Sequence, residues 1–191
     1  MKALGVIHGR FQPFHNDHLK YILEGFNRVD FLYIGITNPD PTLTLDDETD
    51  VKRSQIFANP CTFFERLRMI QNCLYDLDID SNKYCIVPFP INIPSLWKYY
   101  TPQHAKYFVA IYDEWGEKKL DAFLKNGLDT EVLWRRTVKE KGITATEIRN
   151  AIYHDKEWKH LVPNGTIRVI EECNIIDRIK ILYSGTKKNV K

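Results

Sequence analysis

The run Ala3-Leu4-Gly5-Val6-Ile7-His8-Gly9-Arg10-Phe11-Gln12-Pro13-Phe14-His15-Asn16-Asp17-His18-Leu19-Lys20 decides how the chain is read. Its first five residues make the short apolar run that a buried strand needs. Gly9 and Pro13 punctuate a turn. Leu19, Ile22, Leu23 and Phe26 then recur at helical spacing and supply one apolar stripe. The segment therefore reads as strand, turn and helix. His15 and His18 stand at the helix start, three residues apart and so on one face. The free N–H groups of a helix start attract phosphate. Arg10 adds a planar fork and Lys20 a further cation. Gly9 lets the backbone approach a ligand with no Cβ in the way. Two other readings of the histidine pair stand beside the phosphate site. One is metal ligation, but the sequence has no HExxH and no acidic residue at ligand spacing. The other is plain capping of the helix.

Working outward, residues 29–37 form a second strand candidate, closed by Asn38-Pro39-Asp40-Pro41. From Thr42 to Pro60 the chain is polar and acidic with no firm period. A connection that long marks residues 38–61 as a candidate lid or binding loop. Thr62 is placed to cap a helix that carries Phe63, Leu67, Ile70, Leu74 and Leu77 on one face. Strand candidates follow at 84–87, 107–112 and 131–134. A helix is expected at 118–124, with Gly127 closing it. Thr144-Ala145-Thr146-Glu147 has the spacing of a capping box, and Ile148, Ala151 and Ile152 continue a helix. In such a helix Arg149 reaches back over the amino end, where Thr144 and Thr146 offer hydroxyls. A last helix is expected at 166–173, within a C-terminal helical portion. Strands alternating with helices favour a parallel sheet covered on both faces, an α/β fold. Ligands of such sheets collect at the carboxyl ends of the strands.

Composition sets the outer bounds. With 191 residues, 43% of them hydrophobic, one compact domain over 1–191 is the default. No apolar stretch is long enough to cross a membrane, and no signal peptide is indicated at the start, so a cytoplasmic protein is expected. The formal net charge of +2 argues against a general nucleic-acid binder. Cys61, Cys73, Cys85 and Cys173 are well spread and form no CxxC, which suits buried free thiols in a reducing compartment. The basic tail from Lys187 reads as a solvated terminus.

The segment from His8 to His18 resembles the signature of nucleotidyltransferases that carry an HxGH motif. Its Gly-Arg-Phe-Gln-Pro-Phe-His wording is most similar to the archaeal-type nicotinamide-nucleotide adenylyltransferases. Thr144-Ala145-Thr146-Glu147-Ile148-Arg149 resembles their second signature, Ser-Gly-Thr-x-x-Arg. Asn59-Pro60-Cys61-Thr62-Phe63-Phe64-Glu65-Arg66 and Trp158-Lys159-His160-Leu161-Val162-Pro163 also fit, so the likeness covers nearly the whole chain. The resemblance implies a Rossmann-like nucleotidyltransferase fold. It implies adenylyl transfer from ATP to nicotinamide mononucleotide by direct in-line attack, with release of pyrophosphate. Mg²⁺ would enter with the ATP, and a homo-oligomer is compatible with it.

Residue by residue, the resemblance makes His15, His18 and Arg149 the catalytic set. Gly9, Arg10, Phe11, Lys20, Thr144 and Thr146 join them in nucleotide binding. Trp97 resembles the tryptophan that stacks on nicotinamide, though its surroundings equally suit a core corner. Asp113, just after the fourth strand candidate, is the other expected acceptor residue. Two positions depart from the pattern. Asp17 stands in the place of glycine between the histidines, where a carboxylate is electrostatically unwelcome beside a triphosphate. Ala145 replaces the glycine of the second signature. These departures keep open transfer to another small phosphomonoester with ATP or CTP as donor, and also a non-catalytic nucleotide-binding role.

Overall fold

The computed structural model describes residues 2–45, 54–137, 140 and 142–188. Five strands form one sheet: β1 (Leu4–Gly9), β2 (Phe31–Ile36), β3 (Tyr84–Pro88), β4 (Lys106–Ile111) and β5 (Thr130–Arg135). Their order is β3-β2-β1-β4-β5, and every neighbouring pair is parallel. The order reverses between β1 and β4. That switch point opens a crevice at the carboxyl ends of the central strands.

Helices cover both faces, as the alternation along the chain predicts. They are α1 (Asn16–Phe26), α2 (Phe63–Tyr75), α3 (Pro94–Trp97), α4 (Glu114–Lys125), α5 (Ala145–Tyr153), α6 (Asn164–Glu172) and α7 (Ile175–Lys188). Strand alternation sorts the core into two layers. Ile7, Leu32, Ile34 and Phe108 pack under α1, α2 and the C-terminal helices. Val6, Tyr107 and Val109 face the other way, toward Phe89, Trp97 and Phe123. The first layer is the larger because α6 and α7 add Val169, Ile170, Ile175 and Ile179 to it. Gly165 sets the spacing there: a Cβ on it would lie 2.6 Å from the backbone nitrogen of Cys73, so α6 can lie directly on α2.

Three expectations need correction. The helix expected at 118–124 begins four residues earlier, because the Asp113 carboxylate accepts the Gly116 N–H and caps α4. The helix at 166–173 is not the last, since α7 follows a break at Cys173 and Asn174, the latter with φ of 50°. Cys85 is exposed, because β3 is an edge strand, whereas Cys61 and Cys73 are buried and Cys173 is half-buried. Burial pushes the Cys61 thiol up to about 12 and the Cys73 thiol up to about 11. Of the candidate lid at 38–61, residues 46–53 lie outside the described residues, as do 189–191 of the basic tail. No helix among the described residues is long and apolar enough to cross a membrane.

Candidate active site

A cleft of about 510 Å³ lies over the carboxyl ends of β1, β2, β4 and β5, within the size range of small-molecule sites. Both sequence motifs open into it. His15 is the N-cap of α1, and its Nδ1 accepts the His18 N–H at 3.4 Å. The two imidazoles stack with centroids 3.5 Å apart. Capping and ligand contact are thus compatible roles: one face of the pair holds the helix start and the other lines the cleft. Phe11 stands edge-on to His18 at 4.9 Å, and Phe14 stacks on it at 5.9 Å. Phe11 has φ of 53°, a left-handed backbone that an aromatic residue seldom adopts. Its ring fills the space beside Gly9, where a Cβ would meet it at 2.5 Å. Gly9 therefore makes room for Phe11, and it lines the cleft as well.

Thr144 caps α5 through the expected box: its hydroxyl accepts the Glu147 N–H, and the Glu147 carboxylate accepts the Thr144 N–H at 2.8 Å. Thr144, Ala145 and Thr146 line the cleft, so the N-termini of α5 and α1 both border it. Two helix dipoles aim their positive ends into one space. Arg10 lines the same cleft.

Three expected site residues take other positions. Arg149 is 2% exposed and does not line the cleft. Its guanidinium donates to the Gln12 carbonyl (2.5 Å), the Tyr183 hydroxyl (3.1 Å) and the Thr146 hydroxyl (3.1 Å). It ties the second motif to the first. Lys20 points outward, its side chain 74% exposed, and pairs with Asp17 at 2.8 Å. Trp97 is 1% exposed in the core. It stacks on Phe89, meets Phe123 edge-on and donates its indole N–H to the Pro90 carbonyl. Of the acceptor pair, only Asp113 lines the cleft. Trp97→Ala should therefore cost about 3–5 kcal/mol of stability, read as a lower melting temperature. Well below that temperature the acceptor KM should stay near wild type; a selective rise in that KM would return Trp97 to the site.

Asp17 corrects the electrostatic expectation. One carboxylate oxygen accepts from Lys20 and the other accepts the Ile143 N–H at 2.7 Å. The side chain thus latches the start of α1 to the residues just ahead of α5. Partial burial acts to raise its pKa, but the bonds from Lys20 and Ile143 and the charges of Lys20 and His15 prevail and hold it below the usual value. The carboxyl is ionised at neutral pH, and the latch is lost only as pH falls through that depressed value. Asp17→Gly should lower kcat by roughly tenfold through misalignment of the two motifs. Asp17→Asn, which keeps an acceptor for Ile143, should lose much less. Equal loss in both variants would mean that the charge matters and the latch does not.

Several cleft residues escaped the sequence reading. His8 is buried beside the cleft, and Lys119 reaches it from α4. Tyr112 lies at the end of β4, where its hydroxyl accepts the Trp134 indole N–H. Asn92 comes from the loop after β3. His8 did carry a signal: it breaks the apolar alternation of β1 on the face of Val6. Arg66 and Gln12 support the cleft from behind. The Gln12 amide pairs with both backbone groups of Cys61 at 2.8 Å.

Comparison with known proteins agrees with this arrangement. A family model described as cytidylyltransferase-like matches residues 6–151. A phosphonoformate cytidylyltransferase of Streptomyces viridochromogenes is 46% identical, over 92% of this chain and 95% of its own. A nicotinamide-nucleotide adenylyltransferase of Methanococcus aeolicus is 35% identical, over 95% of each chain. Among solved structures, a bifunctional NMN adenylyltransferase/ADP ribose pyrophosphatase from Francisella tularensis matches with a TM-score of 0.68 and 17% identity. That match covers 95% of this chain and 52% of the other. The likeness to archaeal nicotinamide-nucleotide adenylyltransferases read from the motifs is real, but a cytidylyltransferase shares more of the sequence. A match that spans both motifs, carried on the doubly wound sheet that brings them together, makes this chain a member of the cytidylyltransferase-like family of nucleotidyltransferases.

Proposed function

We propose that the chain transfers a cytidylyl group from CTP to a small phosphonic or phosphoric acid, releasing pyrophosphate. The observation that carries this reading is the 46% identity to a phosphonoformate cytidylyltransferase, set against 35% to a nicotinamide-nucleotide adenylyltransferase. The burial of Trp97 supports it, because the aromatic expected to receive nicotinamide is spent on the core.

In this reading an acceptor oxygen attacks the α-phosphorus of CTP in line, and the bond to the β-phosphate oxygen breaks. The pair of electrons leaves with pyrophosphate, and no protein nucleophile is needed. His15, His18 and Arg10 line the cleft together with the Thr144–Thr146 helix start. Charge that builds on the leaving phosphates meets donors already in position. Arg149 bonds both Thr146 and the Gln12 carbonyl and so fixes the two motifs relative to each other. Among the described residues no group of three His, Cys, Asp or Glu side chains forms a metal cage. A Mg²⁺ ion would enter with the triphosphate and neutralise part of its charge.

The test is a matrix of CTP and ATP against phosphonoformate and nicotinamide mononucleotide, read by pyrophosphate release and product mass. The expected result is the highest kcat/KM for CTP with phosphonoformate. Preferred turnover of ATP with nicotinamide mononucleotide would overturn the proposal in favour of NAD formation, the reading to which the 35% relative points.

A further inference from the structure

Alternation along β1 sends Ile7 to the face of α1 and His8 to the face of α4. His8 is 4% exposed, and its ring is wedged between Phe89 (5.5 Å) and Phe123 (5.2 Å). Neither ring nitrogen has a hydrogen-bond partner. A buried imidazole normally finds partners, because leaving its nitrogens unpaired costs free energy. Here the ring belongs to the lining of the cleft while both of its nitrogens are covered, so a ligand that supplies the missing partner must part the side chains over them. Lys119, on α4, lines the same wall. Burial, with the charge of Lys119 added, holds His8 well below the usual imidazole value, so the ring is neutral. Burial penalises a charge of either sign, and the Lys119 ammonium is the group that would favour an anion there. It also lies apart from the phosphate-facing helix starts: the histidine pair is on the α1 side of the sheet, and His8 is on the α4 side.

We propose that His8 and Lys119 form an anion subsite that holds the carboxylate of a small acceptor, so that its phosphonate oxygen faces the CTP α-phosphorus. The proposal rests on the cytidylyl-transfer reading and gives its acceptor a chemical class: a small acid with two anionic ends. The imidazole donates one N–H to the carboxylate, and the ammonium supplies the opposite charge. A substrate that lacks the second anionic end gains nothing from this corner.

The test compares wild type with His8→Leu and Lys119→Met, using phosphonoformate, methylphosphonate and nicotinamide mononucleotide as acceptors. Leucine keeps an apolar body between Phe89 and Phe123, and melting curves check that both variants fold. In both variants the KM for phosphonoformate should rise by roughly tenfold to a hundredfold, the range for a lost charge-assisted hydrogen bond. The KM for CTP should stay near wild type. Methylphosphonate, with no carboxylate, should be used equally poorly by all three proteins. A rise in the KM for CTP instead would assign the corner to the donor nucleotide and overturn the proposal. An unchanged KM for phosphonoformate in folded variants would reduce His8 to packing and overturn it as well.

Binding is read separately by following the His8 ring nitrogens in NMR spectra while phosphonoformate is titrated, alone and with a non-transferable CTP analogue. If wild type transfers no cytidylyl group yet phosphonoformate shifts the His8 signals, and Lys119→Met abolishes that shift, the cytidylyl-transfer reading fails and the subsite stands. If there is neither turnover nor a shift, both fall.

Discussion

His18→Ala should lower kcat for nucleotidyl transfer by about 10²–10³, the usual loss when one preorganised donor to developing negative charge is removed. The size follows from where the ring sits. His18 is on the first turn of α1, held edge-on by Phe11 and face-on by Phe14, with His15 stacked against it. Three rings fix its direction before any ligand arrives, so its contribution needs no rearrangement during the reaction. His15→Ala should lose at least as much activity, but part of that loss comes from the helix cap, because His15 Nδ1 accepts the His18 N–H. His18→Ala is the cleaner experiment, and His18→Asn, which keeps a donor, should recover part of the activity. The check is steady-state turnover at saturating CTP and acceptor, with a melting curve to show that the fold is intact. Turnover near wild type in a folded His18→Ala protein would remove the histidine pair from the chemistry.

The strand-turn-helix start, the helix cap at Thr62, the capping box at Thr144 and the parallel sheet could be read from the chain, because each rests on a pattern of short range along it. The histidine pair was legible for the same reason. What the pattern could not give was direction. Arg149 sits at the right spacing to reach over the α5 start, yet its side chain turns inward, because Gln12, from a segment far away in sequence, presents a carbonyl there. Lys20 falls on the exposed side of α1 and pairs there with Asp17, one turn before it, without joining the cleft lining. Trp97 reads from the sequence as an acceptor residue, but Phe89 and Phe123, which the sequence alone does not bring together, hold it in the core. Asp17 looked like a liability while its partner, the Ile143 N–H, was 126 residues away and out of view. Side-chain destinations depend on tertiary partners, and sequence spacing names only the starting point.

Arg66 is the strongest case of a residue whose motif was legible and whose task was not, and its replacement should have a large effect on stability. The guanidinium is 1% exposed. Its five donor positions all go to main-chain carbonyls: Thr62 (3.1 Å), Arg10 (2.9 Å), Thr37 (2.7 Å), Asn38 (2.8 Å) and Pro39 (3.2 Å). Burial pushes its pKa down to about 10, still well above neutral, so the group stays charged. One side chain from α2 thus closes the turn after β1 and the turn after β2, and Arg10, Thr37 and Asn38 all line the cleft. Arg66→Met would keep much of the volume and leave those carbonyls without their donor. A cost of about 3–5 kcal/mol is expected, the range for breaking a buried, fully bonded charged group. For a chain of this size that lowers the melting temperature by on the order of 10 °C. Arg66→Lys should recover little of it. An ammonium carries three donors on a point charge and cannot span acceptors arranged for a planar fork. At a temperature where the variant is still folded, the KM for CTP should also rise, because the turns that carry Arg10 and Asn38 are no longer held together. If Arg66→Lys melts with the wild type, the five-carbonyl arrangement is not what secures these turns, and the rigidity of the cleft must come from the sheet alone.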